Sequence, residues 1–472
     1  MPSPTLAIAR HELRTLSRSR GALAAAGTTL LLLLASALAS LDLAAQAAES
    51  RARQQAEAER QWQAQPDRHP HRVIHFGTFV FQPLGPLAAI DPGITAHTGH
   101  SLFLEGHRQN SANFAEARQS SVLLRFGLPT PAFVLQALAP LLLVFLAFGS
   151  VAAERERGTL ALLRAQGVPG RTLLAGKALA HGGVALALLL PLALAILLAA
   201  GGEAGALARG ALMLPAYGAW LLAWSLGAIL ASALLPRARD ALLTLLGAWI
   251  LLVVVAPRLA PLAAEALHPA PSRLAAELAV AADLAKVGDP HDPNDPNFGP
   301  FRARVLAQHG VTDVEALPVN WGGLVSMEGE RLQGEVFRRH MDAAQARERA
   351  QAATLDGAAW LAPALALRRL SMALAGTDLP GHQAFVRAAE EHRYAMVQAL
   401  NALHVHKIRR QDDRAQRVGR EHWLAMPAFH HAPPGPDWPA LLPAAGALLL
   451  WLLLPLALLP LAGRRLDREA RA

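Results

Sequence analysis

The chain has no cysteine. Disulfides, thiolate catalysis, iron–sulfur clusters and cysteine-ligated zinc are therefore all excluded. Charge is also scarce, at 17% of residues, against 53% hydrophobic residues. The net charge of +8 raises nucleic acid as a partner, but no basic patch interleaved with aromatics is present, and nucleic acid is set aside. No G-x-S-x-G elbow and no H-E-x-x-H spacing occurs, so hydrolases of those two types lack their motifs. No internal repeat and no strand-rich stretch stands out.

What is present is long apolar runs. Crossing a hydrocarbon core of about 30 Å takes about 20 apolar residues at 1.5 Å each. Six segments qualify: 22–41, 132–153, 178–200, 211–235, 241–257 and 439–462. Leu30 to Leu34 are consecutive leucines inside the first. The fifth is the shortest, although Leu242 to Val255 carries no charge. His181 is the only ionisable residue well inside a boundary, near one end of its span, where it can reach the interface. No proton relay through the membrane is indicated.

Lys and Arg in short connections set orientation. Arg10, Arg14, Arg18 and Arg20 precede the first run. Arg155, Arg157, Arg164, Arg171 and Lys177 separate the second from the third, and Arg237 and Arg239 the fourth from the fifth. Arg464, Arg465, Arg468 and Arg471 follow the sixth. All fall on one side if every run crosses, whereas the opposite short loop, 201–210, has only Arg209. The expectation is a multi-pass protein of a bacterial inner (plasma) membrane with both termini cytoplasmic. Ala37-Leu38-Ala39 offers a signal-peptidase-like site, but the basic region before the run and the run itself are too long, which favours an uncleaved first span.

Residues 1–21 then form a cytoplasmic interfacial helix, 154–177 a cytoplasmic loop and 463–472 a cytoplasmic tail. Segments 42–131 and 258–438 lie outside. Glu49 to Arg60 reads as a solvated helix continuing the first span, followed by a Gly/Pro/His-containing region, Pro66 to His107. In 381–405, Phe385, Ala389, His392, Met396, Leu400 and Leu403 recur at helical spacing. A second helix is predicted over 323–353, with Leu332, Val336 and Met341 facing inward. Asp289 to Pro300 and Ala432 to Pro439 punctuate the domain. The predicted fold class is all-α, a polytopic membrane protein of six transmembrane helices with a mostly helical extracytoplasmic domain.

The loop after the second run reads Glu154-Arg155-Glu156-Arg157-Gly158-Thr159-Leu160-Ala161-Leu162-Leu163, then Arg164, a Val168-Pro169-Gly170 turn and Lys177. On charge alone it is equally a solvated connection that fixes topology or a polar-tipped hairpin that meets a soluble partner. It resembles the E-R-E-x-G-T-L-x-L-L loop of ABC-2-type permeases, with Leu173-Leu174-Ala175-Gly176-Lys177 similar to the stretch that opens their next span. The resemblance implies that Glu154, Arg155, Glu156, Arg157, Gly158, Thr159, Leu162 and Leu163 couple to an ATPase subunit. Ile8-Ala9-Arg10-His11-Glu12-Leu13 resembles the family's interfacial helix. Leu6, Ala9, Glu12, Leu13 and Leu16 mark it out, with Leu6, Ala9, Leu13 and Leu16 on one face. Leu317 to Leu324 with Gly329-Glu330, and Ser371 to Asp378, are similar to motifs of a subgroup with a large extracytoplasmic domain of unknown function between its fifth and sixth spans.

The resemblance implies a permease subunit, not an enzyme, of an ATP-driven transporter moving an unknown cargo. The alternative is a mechanotransmitter acting on a periplasmic protein without transport. Expected partners are an ABC ATP-binding subunit, a second permease copy or paralogue, and the lipid bilayer. No cofactor is expected, since ATP is bound by the partner. Gly170 to Gly176-Lys177 only mimics a phosphate loop: five residues intervene, and Ala178 stands where a hydroxyl is needed. All but two of the 19 histidines, among them His69, His71, His75, His404 and His406, lie in the two outer segments. They lack a recognised ligand spacing, so no metal is expected. Asp289, Asp292, Asp295 and Asn297 do not match an EF-hand and read as a rigid turn.

Overall fold

A computed structural model describes residues 3–110, 112 and 129–469. Arg471 and residues 113–128 of the first outer segment lie outside the described residues. Among the described residues, six helices are long and apolar enough to cross a membrane: Arg20–Gln63, Pro131–Glu156, Gly170–Ala200, Ala204–Leu234, Ala238–Leu267 and Trp438–Arg468, here spans one to six. Span four is central, with 61% of its apolar window buried, and packs on spans two, three and six. Span five lies at the rim, with only 6% of its window buried.

The helices outrun the apolar runs that reveal them. Span one is a single helix of 44 residues, so the charged stretch from Glu49 to Arg60 does continue it. The helix of span five runs ten residues beyond 257, to Leu267, with Pro257 and Pro261 tolerated inside or near a helix start. Hydropathy marks where a helix lies in hydrocarbon, not where its hydrogen bonding stops.

Between the ends of spans one and two, and of spans five and six, the chain builds one joint domain. Its long helices are Trp321–Ala358 and Leu379–Lys407, which pack on each other. Val336 is buried, while Leu332 and Met341 are half-buried. Phe385, Ala389, Met396 and Leu400 are buried with Val73, Ile74, Val80 and Trp423 in a cluster that draws on both segments. A small antiparallel pair, β1 (Thr78–Phe81) and β2 (Ser101–Leu104), was not anticipated. Its strands of four residues are too short to show an alternation above background.

Helix Pro363–Ala375 sits differently from the rest of the second segment. It packs on spans four and six, and its Ala366, Leu367 and Leu374 join the same buried cluster as the spans. At 13 residues it is too short to cross and so is invisible to a hydropathy search. Where it meets span four, Gln136 Nε2 donates to Tyr217 Oη at 3.0 Å, Tyr217 Oη lies 2.8 Å from Ser371 Oγ, and Ser371 Oγ donates to the buried Asp91 carboxylate. Burial pushes the Asp91 carboxyl up, against the Ser371 hydrogen bond. Gly93, at φ +50°, lies so close to Thr377 that a Cβ there would come within 2.3 Å of its carbonyl oxygen.

Candidate functional site

The four basic segments converge at one end of the bundle. Helix Pro4–Arg18 is started by Ser3, whose Oγ accepts from Leu6 N–H, and by Pro4 at its first position. It presses on span three at Gly176, where a Cβ would lie 2.7 Å from Ile8 Cβ. Ala9 is buried at that contact, Leu16 is half-buried, and Leu6 and Leu13 are exposed. An amphipathic helix with its leucines uncovered at the end of a bundle suits the bilayer interface.

Glu12 points inward. Its Oε2 lies 2.9 Å from Lys177 Nζ and its Oε1 3.0 Å from His181 Nε2, the two partners being one helical turn apart on span three. Lys177 Nζ also donates to Glu154 Oε1 at 2.7 Å, and the lysine side chain is 1% exposed. Burial alone would raise the Glu12 carboxyl, but His181 and Lys177 bring it down to about 2. His181 therefore reaches Glu12 rather than the interface, and Lys177 is a buried counter-charge rather than a surface topology marker.

The loop over 154–171 divides in the same way. Arg155 donates to the Leu235 and Ala233 carbonyls at 2.7 and 2.8 Å, satisfying acceptors left over at the end of span four. Glu156 accepts from Ala238 N–H at 3.0 Å, at the start of span five. With Glu154 on Lys177, three of the four alternating charges brace other helices. Arg157, Gly158, Thr159 and Leu162 form the exposed surface, with Leu162 65% exposed, and Leu163 is half-buried. Gly158 turns the chain at φ +76° into helix Thr159–Ala165, and Leu160 buries its underside. Arg164 pairs with Asp467, which also accepts from Gly170 N–H at 2.7 Å. Gly170 and Gly463 meet backbone to backbone, since a Cβ on Gly170 would lie 2.3 Å from the Gly463 oxygen. Sequence alone cannot separate bracing charges from displayed ones, because both alternate identically along a short turn.

At the domain end, distant histidines meet. His71 and His75 stand one turn apart on helix Pro70–Phe76, with their Nε2 atoms 3.2 Å apart. His107 follows β2 and His291 sits in the Asp-Pro loop, with His291 Nε2 3.4 Å from His75 Nε2. One ligand atom from each of the four lies within 4.8 Å of those of the others. Gly106 allows the approach: its N–H donates to Ile74 O, and a Cβ would lie 2.0 Å from Ile74 Cγ2. Burial and the neighbouring imidazoles push His71 down to about 3, and burial and His107 lower His75.

The motif residues of the second segment hold this place together. Asn320 caps helix Trp321–Ala358, accepting from Gly323 N–H at 3.1 Å, and Trp321 Nε1 donates to the Pro293 carbonyl at 3.0 Å. Gly329 admits Pro290, which a Cβ would approach to 2.5 Å. Glu330 is fully buried, 2.7 Å from Arg393 and 3.3 Å from His107 Nδ1. Asp378 caps Leu379–Lys407 through Gly381 N–H, and Gly376 ends the preceding helix at φ +72°. His404 does not pair with His406. Its Nε2 lies 2.9 Å from Asp413, which also takes Asn320 Nδ2 at 2.6 Å and faces His69 Nε2 at 3.2 Å. Asp289, Asp292 and Asp295 each accept a backbone N–H two residues on, the closed turns of a rigid loop. His107 and His291 are the residues that sequence reasoning missed. The i, i+4 pair of His71 and His75 behind Pro70 was the one local signal.

Six spans, a braced basic end and a helical domain on the opposite end define a polytopic membrane protein of the permease type. The chain belongs to the ABC-2 family of transporter proteins, whose family model matches residues 6–304. A second family model, a domain of unknown function (DUF3526), matches residues 273–432. No curated protein matches the chain. Family membership implies an ATP-binding partner and a membrane setting, and no catalytic motif is evident.

Proposed function

We propose that the chain couples ATP hydrolysis by a separate subunit to movement of a cargo across the inner membrane, with its basic end in the cytoplasm. The observation that carries this reading is the exposed helix Thr159–Ala165, tied at its base to four spans. Glu154 reaches span three, Arg155 span four, Glu156 span five and Arg164 the end of span six. A soluble motor transmits force through groups it touches, and a lever moves a bundle only if its base is fixed. Leu162 and Arg157 are the displayed contacts, while Glu154, Arg155 and Glu156 form the base. Span five, largely unburied, offers its face to lipid or to a second permease copy.

The test is co-purification of the ATP-binding subunit and ATPase activity of the reconstituted complex. Leu162→Asp should insert and fold normally yet release the subunit, and an unchanged complex would defeat the coupling role. Reporter fusions at Pro271, Gly310 and the C-terminus check the orientation. An alkaline-phosphatase-active C-terminus would reverse it.

The second reading, transmission of motion to a periplasmic protein without transport, has one observation in its favour. Tyr217 of central span four is hydrogen-bonded to Ser371, which holds Asp91, so movement of that span bears directly on the domain. ATPase activity stimulated by a periplasmic protein, and by no cargo, would select it.

A further inference from the structure

Helix Pro70–Phe76, the turn after β2 and the Asp-Pro loop each deliver histidine to one point on the domain surface. We propose that His71, His75, His107 and His291 bind a divalent transition-metal cation of the zinc class. Four imidazoles without cysteine suit zinc, copper or nickel better than the hard, oxygen-loving cations.

Three features of the geometry support this. A tetrahedral site with metal–nitrogen bonds of about 2.0–2.1 Å has ligand atoms about 3.3–3.4 Å apart. The two Nε2–Nε2 separations given above, 3.2 and 3.4 Å, fall at that spacing. Of the ring nitrogens facing away from the centre, His291 Nδ1 is held 2.9 Å from Asp289 Oδ1, while His107 Nδ1 faces Glu330 at 3.3 Å without a hydrogen bond, Glu330 accepting instead from the His107 backbone N–H at 3.2 Å. Carboxylates behind ligand imidazoles set tautomer and ring orientation in metal sites. Finally, His107 Nε2 is buried with no hydrogen-bond partner, a cost that a metal bond would remove. His107 is also one of two non-glycine residues with positive φ among the described residues, at +59°. A backbone held in that region is accepted where the side chain must be aimed.

The neighbouring group at His69, His404 and Asp413 also has buried ring nitrogens without a hydrogen-bond partner, His69 Nε2 and His404 Nδ1, but it has only two imidazoles and its carboxylate is already engaged by Asn320 and His404. A metal at the four-histidine point would join residues 70–107 of the first outer segment to the 289–297 loop of the second. Its effect should therefore include stiffening of the domain.

The experiment uses the full-length protein in detergent, stripped with chelator and titrated with Zn2+, then with Co2+ as a coloured substitute. One equivalent should bind per chain, with the intense visible absorption of tetrahedral cobalt, and should raise the unfolding temperature. His75→Gln with His291→Gln alters two exposed side chains and should leave the fold intact while weakening binding by at least about 100-fold. His406→Gln, outside the cluster, should bind as wild type. Absence of saturable binding would mean that the imidazoles only share protons among themselves, and would overturn the proposal. Equal affinity in the His75/His291 double variant and wild type would also overturn it.

Discussion

At the basic end, Lys177 stands between two carboxylates, with His181 on the far oxygen of one. At the domain end, four imidazoles stand together, with Glu330 beside His107, Asp289 behind His291 and Glu105 near His75. Both places gather titratable side chains from segments remote in sequence. At the first, opposite charges meet and balance one another: Glu12 and Glu154 use the lysine, and the lysine uses them, although Glu154 Oε2 and His181 Nδ1 stay buried without a hydrogen-bond partner. At the second, like groups meet, and burial together with the neighbouring imidazoles disfavours the charged form of His71 and His75. A cluster of opposite charges is a joint, and a cluster of like donor groups is a place for a ligand.

The comparison breaks most sharply at Lys177. Lys177→Met removes the shared counter-charge and strands Glu12 and Glu154, a change worth about 3–5 kcal/mol for a buried pair. A large drop in unfolding temperature in detergent is expected, and a shift of only a degree or two would show the cluster to be well hydrated. Glu154→Lys should be damaging for the same reason, since it sets a second ammonium against the first. From sequence, lysine at both Glu154 and Glu156 looks harmless to folding, because added positive charge suits that side. The contacts reverse that expectation for Glu154.

Glu330→Gln should have an intermediate effect. It removes the charge beside Arg393, which keeps Glu390 at 2.9 Å, so a loss of about 1–3 kcal/mol is expected. It also loosens His107, and Zn2+ affinity should fall about 10- to 100-fold. Calorimetric titration separates the two effects, and undiminished zinc affinity would remove Glu330 from the site.

Acid should act on the joint through Glu12. Its carboxyl is held at about 2 against an ordinary 4.5, so its stabilising contribution is full above pH 4.5 and lost as pH falls toward 2. The gap in unfolding temperature between wild type and Glu12→Gln should be constant above about pH 5 and close below it. A gap that widens in acid would contradict the pairing. The smallest stability change belongs to Leu162→Ser, within about 0.5 kcal/mol as for other exposed sites. The same variant should nonetheless retain less ATP-binding subunit on co-purification.

Legibility in the sequence followed the range of the interactions. The spans, the continuation of the first helix past Arg60 and the two long domain helices rest on hydropathy and on periodicity within a few turns. Gly158, Gly376, Asn320 and Asp378 are also local, since each ends or begins a helix through its own backbone or a near neighbour. Partners far apart in sequence were not legible. Nothing in 154–157 reveals that Glu154 faces Lys177 while Arg157 faces solvent. Nor does any spacing connect His107 to His291, because helix Trp321–Ala358 and the close approaches at Gly106 and Gly329 bring them together. The expectation of no metal rested on spacing, and spacing is silent about ligands supplied by three separate segments. Helix Pro363–Ala375 escaped for a different reason, being apolar enough to join the membrane core but too short to announce it.

The contrast between the two clusters is tested most directly by X-ray absorption at the zinc edge, on full-length protein carrying one equivalent of zinc. Four nitrogen scatterers at about 2.0–2.1 Å, with the outer-shell pattern of imidazole rings, are predicted. A shell dominated by oxygen, or one with a single imidazole, would show that the four histidines do not act together and that the difference between the two ends is not one of function.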